Sequence, residues 1–384
     1  MKVVSDHQYI VHIIIAMAGM GFCLGITDPL LEVFLHSAHF DDFSISTLIF
    51  IEAVGFLCMA PFVPGLVKKF DHNSLLLAGL FLIGIVFFLL PYNKDFIEIF
   101  ALRFFMGMGK ALVFIVAATL INLLASKNHK GALIGFFAAS FFAADGVAPL
   151  FLSVLPYRIE TVSIIIILLM ILCVIPLVLY KCRLLKFRGE VSISHAQLLL
   201  GLPSIIIITI TQSLNQTAFQ DSFTLYALEM GVSESLAMLL NTVILLGGVF
   251  LCGFASILLD KYRYDKVALL LVGISFIVYI ILYTEQPHIY NSWLGLFFLG
   301  GTTLSLYMVV MIVLGRTYKG IKLAGAFAGF LIVSTVSQAV GELLMGATMQ
   351  KWGANIFPLL MMGINGFCFF SYVFLLIYKK IREA

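Results

Sequence analysis

Residues 181–195 read KCRLLKFRGEVSISH and form the longest polar stretch in a chain that otherwise consists of hydrophobic runs. About twelve such runs occur, half on each side of this stretch, and each is close to the ~20 residues that an α-helix needs to cross a bilayer. The sequence therefore predicts an all-α, polytopic membrane protein with a six-helix bundle over residues 1–181, a cytoplasmic linker over 182–196 and a second six-helix bundle over 197–384. We place the spans at roughly 9–35, 44–67, 74–91, 96–124, 131–155, 160–181, 197–228, 234–258, 266–284, 290–314, 321–349 and 353–378.

The composition excludes a water-soluble fold. Of 384 residues, 62% are hydrophobic and only 11% are charged, whereas soluble domains carry about 25% charged residues. The net charge of +3 does not indicate a nucleic-acid partner, because no basic cluster is interleaved with aromatic residues that could stack on bases. The partner that the composition predicts is the lipid bilayer.

The basic residues predict the orientation in the membrane. Eighteen of the 23 Lys and Arg residues fall in every second gap between the hydrophobic runs, and the intervening gaps hold only Lys94, Arg158 and Lys351. Short loops rich in Lys and Arg stay in the cytoplasm, so both termini are predicted to be cytoplasmic. Short loops and an Ile- and Phe-rich composition suggest a bacterial protein, hence the inner (plasma) membrane.

Short motifs repeat in the two halves of the chain. The gap after the second span contains Gly65, Lys69 and Asp71, and the gap after the eighth span reads Leu258-Leu259-Asp260-Lys261. These gaps resemble the G-x-L-x-D-R-x-G-R loop of the major facilitator superfamily, although Lys69 stands where the first copy needs an acid. Residues 103–111, RFFMGMGKA, resemble the family's R-x-x-x-G-x-G-x-A pattern. Residues 148–153, APLFLS, resemble its antiporter motif only in Pro149.

The resemblance implies alternating access around a cavity at the membrane midplane between two pseudo-symmetric bundles. It also implies that the two basic loops act as conformational gates. The residues concerned are Gly65, Lys69, Asp71, Asp260 and Lys261.

Charged residues inside the predicted spans are the candidates for ion coupling. A charge at the bilayer centre costs ~2.5–3.5 kcal/mol on insertion scales, so it should face water or a partner. We expect Asp145, and after it Asp28, to carry a proton, with Arg103, Lys110 and Glu52 completing the coupling group. Similar depths suggest pairs of Arg103 with Glu52 or Asp28, and of Lys110 with Asp145. The alternative is that these are structural ion pairs that fix helix register.

Polar side chains on the seventh span are the candidates for substrate binding. Gln212, Gln216 and Gln220 lie at i, i+4 and i+8 and share one helix face. Amides both donate and accept hydrogen bonds, so they could orient a polar substrate. The alternative is hydrogen bonding between helices, which stabilises membrane bundles. The other residues predicted to bind substrate are Asn215, Asp221, Phe22, Gln338 and Tyr307.

Catalytic and cofactor signatures do not appear in the sequence. It contains neither a G-x-x-x-x-G-K-[ST] loop for ATP nor a G-x-S-x-G elbow, and its eight His residues do not combine with Cys or acids at metal-ligand spacing. We therefore expect no enzyme activity, no metal and no cofactor. The sequence favours a secondary transporter, acting as a monomer, that exports a small organic solute by proton antiport. Three alternatives remain: uptake by proton symport or a facilitator, a non-transporting membrane sensor, and a membrane-embedded lipid enzyme.

Overall fold

The structure is a computed structural model of the whole chain. It describes most of the residues, and the segments outside it include the predicted linker. The described residues are 2–3, 6–37, 42–93, 95–124, 130–152, 159–181, 202–219, 223, 226–227, 230–232, 234–284, 293–319, 321–353 and 355–383.

Thirteen α-helices with defined bounds follow one another along this part of the chain. They are α1 (Asp6–Ser37), α2 (Asp42–Met59), α3 (Val63–Lys69), α4 (His72–Leu89), α5 (Phe96–Leu124), α6 (Lys130–Leu152), α7 (Ile159–Leu179), α8 (Pro203–Thr217), α9 (Glu234–Lys261), α10 (Tyr264–Thr284), α11 (Trp293–Thr317), α12 (Ile321–Trp352) and α13 (Ile356–Glu383). A short 3-10 turn, Leu90–Tyr92, follows α4. If α2 and α3 count as one span, these helices correspond in order to the twelve that the sequence predicts.

Length and composition support membrane insertion. Eight helices in the described residues are long and apolar enough to cross a bilayer, and a ninth is added if α2 and α3 form one bent span. The bend between them is 44° and contains Pro61, with Pro64 in the first turn of α3. Proline cannot donate the backbone hydrogen bond of a helix interior, which explains the break. The chain is an integral membrane protein with an all-α fold.

A minimal strand pair adds to the predicted helices. Lys2–Val3 pairs in parallel with Tyr180–Lys181. Hydrophobic periodicity does not predict such a strand pair, because two residues are too few to show any period.

The chain divides into two compact units. The first contains Met1–Asn128, Ser140–Leu198 and Gly315–Ile332, and the second contains His129–Ala139, Leu199–Leu314 and Val333–Ala384. Three of the five boundaries of this division fall inside helices, namely α6, α11 and α12. The predicted boundaries at the linker stay a prediction.

Each unit contains a buried polar contact among three of its helices. In the first unit, the Tyr9 hydroxyl of α1 donates to Asn73 of α4 at 2.7 Å, and the Asn73 amide donates to the carbonyl of Leu177 on α7 at 3.1 Å. In the second unit, Asn215 of α8, Ser275 of α10 and Asn365 of α13 are hydrogen-bonded to one another. In both units the helices concerned correspond to the first, third and sixth predicted spans of that half, so corresponding helices are linked in each half.

Candidate transport site

The crossing of α2 and α5 brings together three of the predicted site residues. A Cβ added at Gly107 would overlap the backbone oxygen of Glu52, and one added at Gly55 would overlap the backbone oxygen of Phe104. Glycine therefore lets the two backbones touch, as small residues commonly do in membrane helix pairs. The contact places Glu52 directly against α5, next to Gly107.

Glu52 lies between two cations of α5. Arg103 is four residues before Gly107 and Lys110 is three after it, so both lie on the helix face that meets α2. The Arg103 guanidinium donates to Oε2 of Glu52, and the Lys110 ammonium contacts Oε1 of the same carboxylate. The exposed fractions of the side chains are 5% for Arg103, 13% for Glu52 and 15% for Lys110. We call these three residues the ion cluster.

The second unit repeats this crossing without the charges. A Cβ at Gly300 of α11 would overlap the backbone oxygen of Ile244 on α9, and one at Gly247 would overlap that of Phe297. The spacings match, because Gly247 follows Ile244 by three residues just as Gly55 follows Glu52. Ile244 thus occupies the position of Glu52.

The remaining equivalent positions carry no charge either. Leu296 precedes Gly300 by four residues, as Arg103 precedes Gly107, and Thr303 follows Gly300 by three, as Lys110 follows Gly107. Leu296 is fully buried, and the Thr303 hydroxyl donates to the carbonyl of Leu299 on its own helix. The glycine crossing therefore packs with uncharged side chains, and helix packing alone does not account for the ion cluster.

The other predicted coupling residues belong to α1 and α6. Asp145 is half-buried on α6, and its backbone oxygen would overlap a Cβ at Gly25 of α1. Asp28 lies within α1, but its side chain is outside the described residues. Asp145 therefore lies where α6 approaches α1, and the roles of both acids stay predictions.

The polar face of α8 is hydrogen-bonded within the second unit. The Gln212 amide donates to Oε1 of Gln216 at 2.7 Å. The hydroxyl of Ser213 lies 2.7 Å from that of Ser334 on α12 and 3.3 Å from Oε1 of Gln212. This network links α8 to α12, and such hydrogen bonding between helices is the alternative to substrate binding. The predicted residues Gln220 and Asp221 lie outside the described residues.

Asn215 lies in the buried triad with Ser275 and Asn365. Its amide donates to Ser275 at 3.0 Å and to Asn365 at 3.1 Å, and Asn365 donates back at 2.9 Å. All three side chains are fully buried, so this geometry favours a structural role for Asn215. Sequence reasoning missed Ser275 and Asn365, although an isolated Asn in the apolar run of α13 could have marked the contact.

The remaining predicted substrate residues are partly accessible. Phe22 on α1, Tyr307 on α11 and Gln338 on α12 are each half-buried. Their substrate contacts stay predictions.

The predicted gating residues are at exposed helix ends. Gly65 and Lys69 belong to α3, Asp71 immediately precedes α4, and Asp260 and Lys261 end α9. All five are exposed. Within the part of the chain that the structure describes, no group of three His, Cys, Asp or Glu side chains could hold a metal ion.

Comparison with known proteins finds a family similarity in the first half of the chain. Residues 13–192 match the sequence model of the Major Facilitator Superfamily. A comparison with curated proteins found no significant match.

Solved structures extend the likeness to nearly the whole chain. The fucose:proton symporter of E. coli superposes with a TM-score of 0.76 at 15% identity, covering 96% of this chain and 99% of the symporter. The human organic anion transporter MFSD10 (TETRAN) superposes with a TM-score of 0.77 at 12% identity, covering 96% of this chain and 98% of that transporter. A bacterial homologue of the iron transporter ferroportin superposes with a TM-score of 0.70 at 12% identity, covering 96% of this chain and 98% of the homologue.

These comparisons define the class as a membrane protein with the fold of major facilitator transporters. Residues 13–192 are similar to the Major Facilitator Superfamily, and nearly the whole chain has the fold of its solved transporters. Identities this low carry the fold and not the substrate.

Proposed function

We propose that this protein is a secondary transporter that moves a small organic solute by alternating access, coupled to protons. We place it in a bacterial inner membrane as a monomer with both termini in the cytoplasm. The family supports the transport mechanism, and the alternation of Lys and Arg supports the orientation.

The ion cluster is the observation that carries the proposal. Three ionisable side chains meet on one helix crossing of the first unit, where the second unit packs Ile244, Leu296 and Thr303. Charges are expensive within the membrane and tend to mark ion or substrate pathways. The crossing of the second unit packs without charged side chains, so packing does not require the three charges of the ion cluster. A role in transport explains their presence best.

The proton is held by a carboxylate that changes surroundings between the two access states. Glu52 is suited to this role because it touches both cations, so moving either one changes the charge next to its carboxylate. Asp145 and then Asp28, which the sequence ranks ahead of Glu52, are the other candidates. Arg103 and Lys110 provide the positive charge that competes with the proton for these carboxylates.

Export by antiport is our first choice of direction. Uptake by symport is the alternative, and it has one specific observation in its favour, because a similar structure is that of a fucose:proton symporter. Both directions use the same coupling residues, so the proposal for the ion cluster does not depend on the choice.

Reconstitution tests the proposal. Purified protein in proteoliposomes with an internal pH dye is challenged with gradients of fucose, small organic anions and ferrous iron, followed by sugars, amines and amino acids. The expected result is a pH change that requires one solute, saturates with its concentration and is lost in Glu52→Gln. Solute flux that leaves the internal pH unchanged would overturn the proton coupling. Folded protein that moves no solute from the panel would overturn transport.

A further inference from the structure

An apolar groove lies within the second unit, at the junction of α8, α12 and α13. Its volume is about 870 Å³, and its lining includes Ile207 and Ile210 of α8, Trp352 of α12, and Gly363 and Phe367 of α13. The side chains of Thr348 and Ser371 are the hydroxyl groups in the lining. The groove is separate from the ion cluster, which belongs to the first unit.

The groove is open because a side chain is missing from its wall. A Cβ added at Gly363 would have no atom within 4 Å. Phe367, one turn further along α13, is 75% exposed, and Trp352 is 59% exposed. Only 28% of the apolar span of α13 is buried. A transmembrane helix exposed to this extent faces the acyl chains of the bilayer.

The dimensions of the groove fit a lipid chain. Its α13 lining extends from Ile356 to Ser371, which at 1.5 Å per residue is ~22 Å. Half of the hydrocarbon core, which is the depth of one leaflet, is ~15 Å. One acyl chain can therefore lie along the groove over its full depth in the leaflet.

The end of the groove at Trp352 has the features of a headgroup site. Trp352 is the last residue of α12 and lines the groove. The Lys351 ammonium lies over its indole ring, 4.7 Å from the ring centre. Trp is enriched where membrane helices meet the headgroups, and Lys near a membrane surface attracts anionic lipid. The groove thus joins an apolar channel to a fixed positive charge.

We propose that this groove binds an anionic phospholipid, with one acyl chain along Gly363 and the phosphate beside Lys351. The apolar lining fits the chain, and Lys351 complements the charge of the headgroup. With the orientation proposed above, the lipid belongs to the outer leaflet of the membrane. The site depends on neither the solute nor the coupling ion.

Fluorescence quenching tests the chain site. The protein has two Trp residues, so Trp293→Phe leaves Trp352, in the groove lining, as the reporter. Phosphatidylglycerol with brominated chains is titrated into the detergent-solubilised protein. We expect saturable quenching at about one lipid per protein. Gly363→Leu should fill the groove and weaken binding at least ~ten-fold, since excluding two methylenes already accounts for that factor.

Gly346→Leu is the matched control. Gly346 is an exposed helical glycine of α12 whose added Cβ would also meet no atom within 4 Å, and it does not line the groove. This variant should bind the lipid as the parent does. Quenching that never saturates, or that survives Gly363→Leu unchanged, overturns the chain site, and so does equal loss in both variants.

Headgroup selectivity tests the role of Lys351. Lys351→Gln should weaken binding of brominated phosphatidylglycerol about five-fold, as expected for one Lys near a lipid surface, and leave zwitterionic phosphatidylcholine unchanged. Equal affinities of the parent for the two lipids would overturn the anionic preference. Saturable binding of decane in place of either lipid would show a general apolar site and overturn the headgroup assignment.

Discussion

Replacing the ion cluster with its counterparts from the second unit should separate folding from function. The triple variant Glu52→Ile, Arg103→Leu and Lys110→Thr gives the crossing of α2 and α5 the side chains found at the crossing of α9 and α11. Gly55 and Gly107 are kept, so the two backbones can still touch. The variant should fold and should not transport.

The expected stabilities follow from burial and from the contacts that each change removes. Removing one partner of a buried ion pair typically costs ~3–5 kcal/mol, whereas replacing the whole group by packed apolar residues is often neutral or stabilising by ~1–4 kcal/mol. Glu52→Ile alone should be the most damaging single change, because both cations contact that carboxylate. Lys110→Thr should be the mildest, because Lys110 is 15% exposed and the contact between Arg103 and Glu52 remains.

Thermal unfolding in detergent and flux in proteoliposomes measure the two properties on the same preparations. We expect the unfolding temperature of the triple variant to equal or exceed that of the parent and to lie above those of the Glu52→Ile and Arg103→Leu single variants. Flux should fall to the level of empty liposomes. A triple variant less stable than every single variant would show that the charges serve the fold and would refute this reasoning.

Three further predictions concern packing, the buried polar contact and topology. Gly107→Ala and Gly300→Ala should each lower the unfolding temperature because the added Cβ overlaps a backbone oxygen. Gly253→Ala is the control and should not lower it, because its added Cβ meets no atom within 4 Å. A larger fall in unfolding temperature for Gly253→Ala would contradict the close packing at the two glycine crossings. Asn365→Ala should destabilise the protein by ~1–3 kcal/mol, because it removes a hydrogen-bond partner from Asn215 and Ser275. Solute flux per folded molecule should be retained. Lost flux at unchanged stability would instead favour substrate binding at this triad. In a cysteine-free background, an impermeant maleimide should label a cysteine at Lys351 from outside intact cells, and cysteines at Lys69 and Lys261 only after permeabilisation, because the basic gaps are predicted to be cytoplasmic. The reverse labelling pattern would contradict the predicted topology.

The helical fold was accessible from the sequence because bilayer insertion imposes simple rules. Backbone groups in hydrocarbon must hydrogen-bond internally, so long apolar runs become helices. That rule predicted the order of the helices from α1 to α13. The sequence predicts one span over residues 44–67, and that prediction does not include the bend at Pro61 and Pro64 between α2 and α3.

The ion cluster was only partly accessible from the sequence. Depth along the helices suggested the pairing of Arg103 with Glu52, and that pairing is present. The contact of Lys110 with the same carboxylate was not suggested, since depth alone cannot show which helices touch. The missing information is the contact at Gly107, which places Glu52 of α2 against α5.

The polar face of α8 shows the limit of helical periodicity. The spacing correctly puts Gln212 and Gln216 side by side, and their side chains are hydrogen-bonded. Periodicity does not say what a polar side chain meets across a helix boundary. Asn215 meets Ser275 and Asn365, residues 60 and 150 positions away in sequence.

The most direct test of the central claim is solute-dependent proton movement by parent and triple variant, reconstituted side by side in liposomes with an internal pH dye. We predict that a transported solute changes the internal pH in vesicles with the parent and leaves it unchanged in vesicles with the folded triple variant. Equal pH changes in both would contradict a role of Glu52, Arg103 and Lys110 in coupled transport.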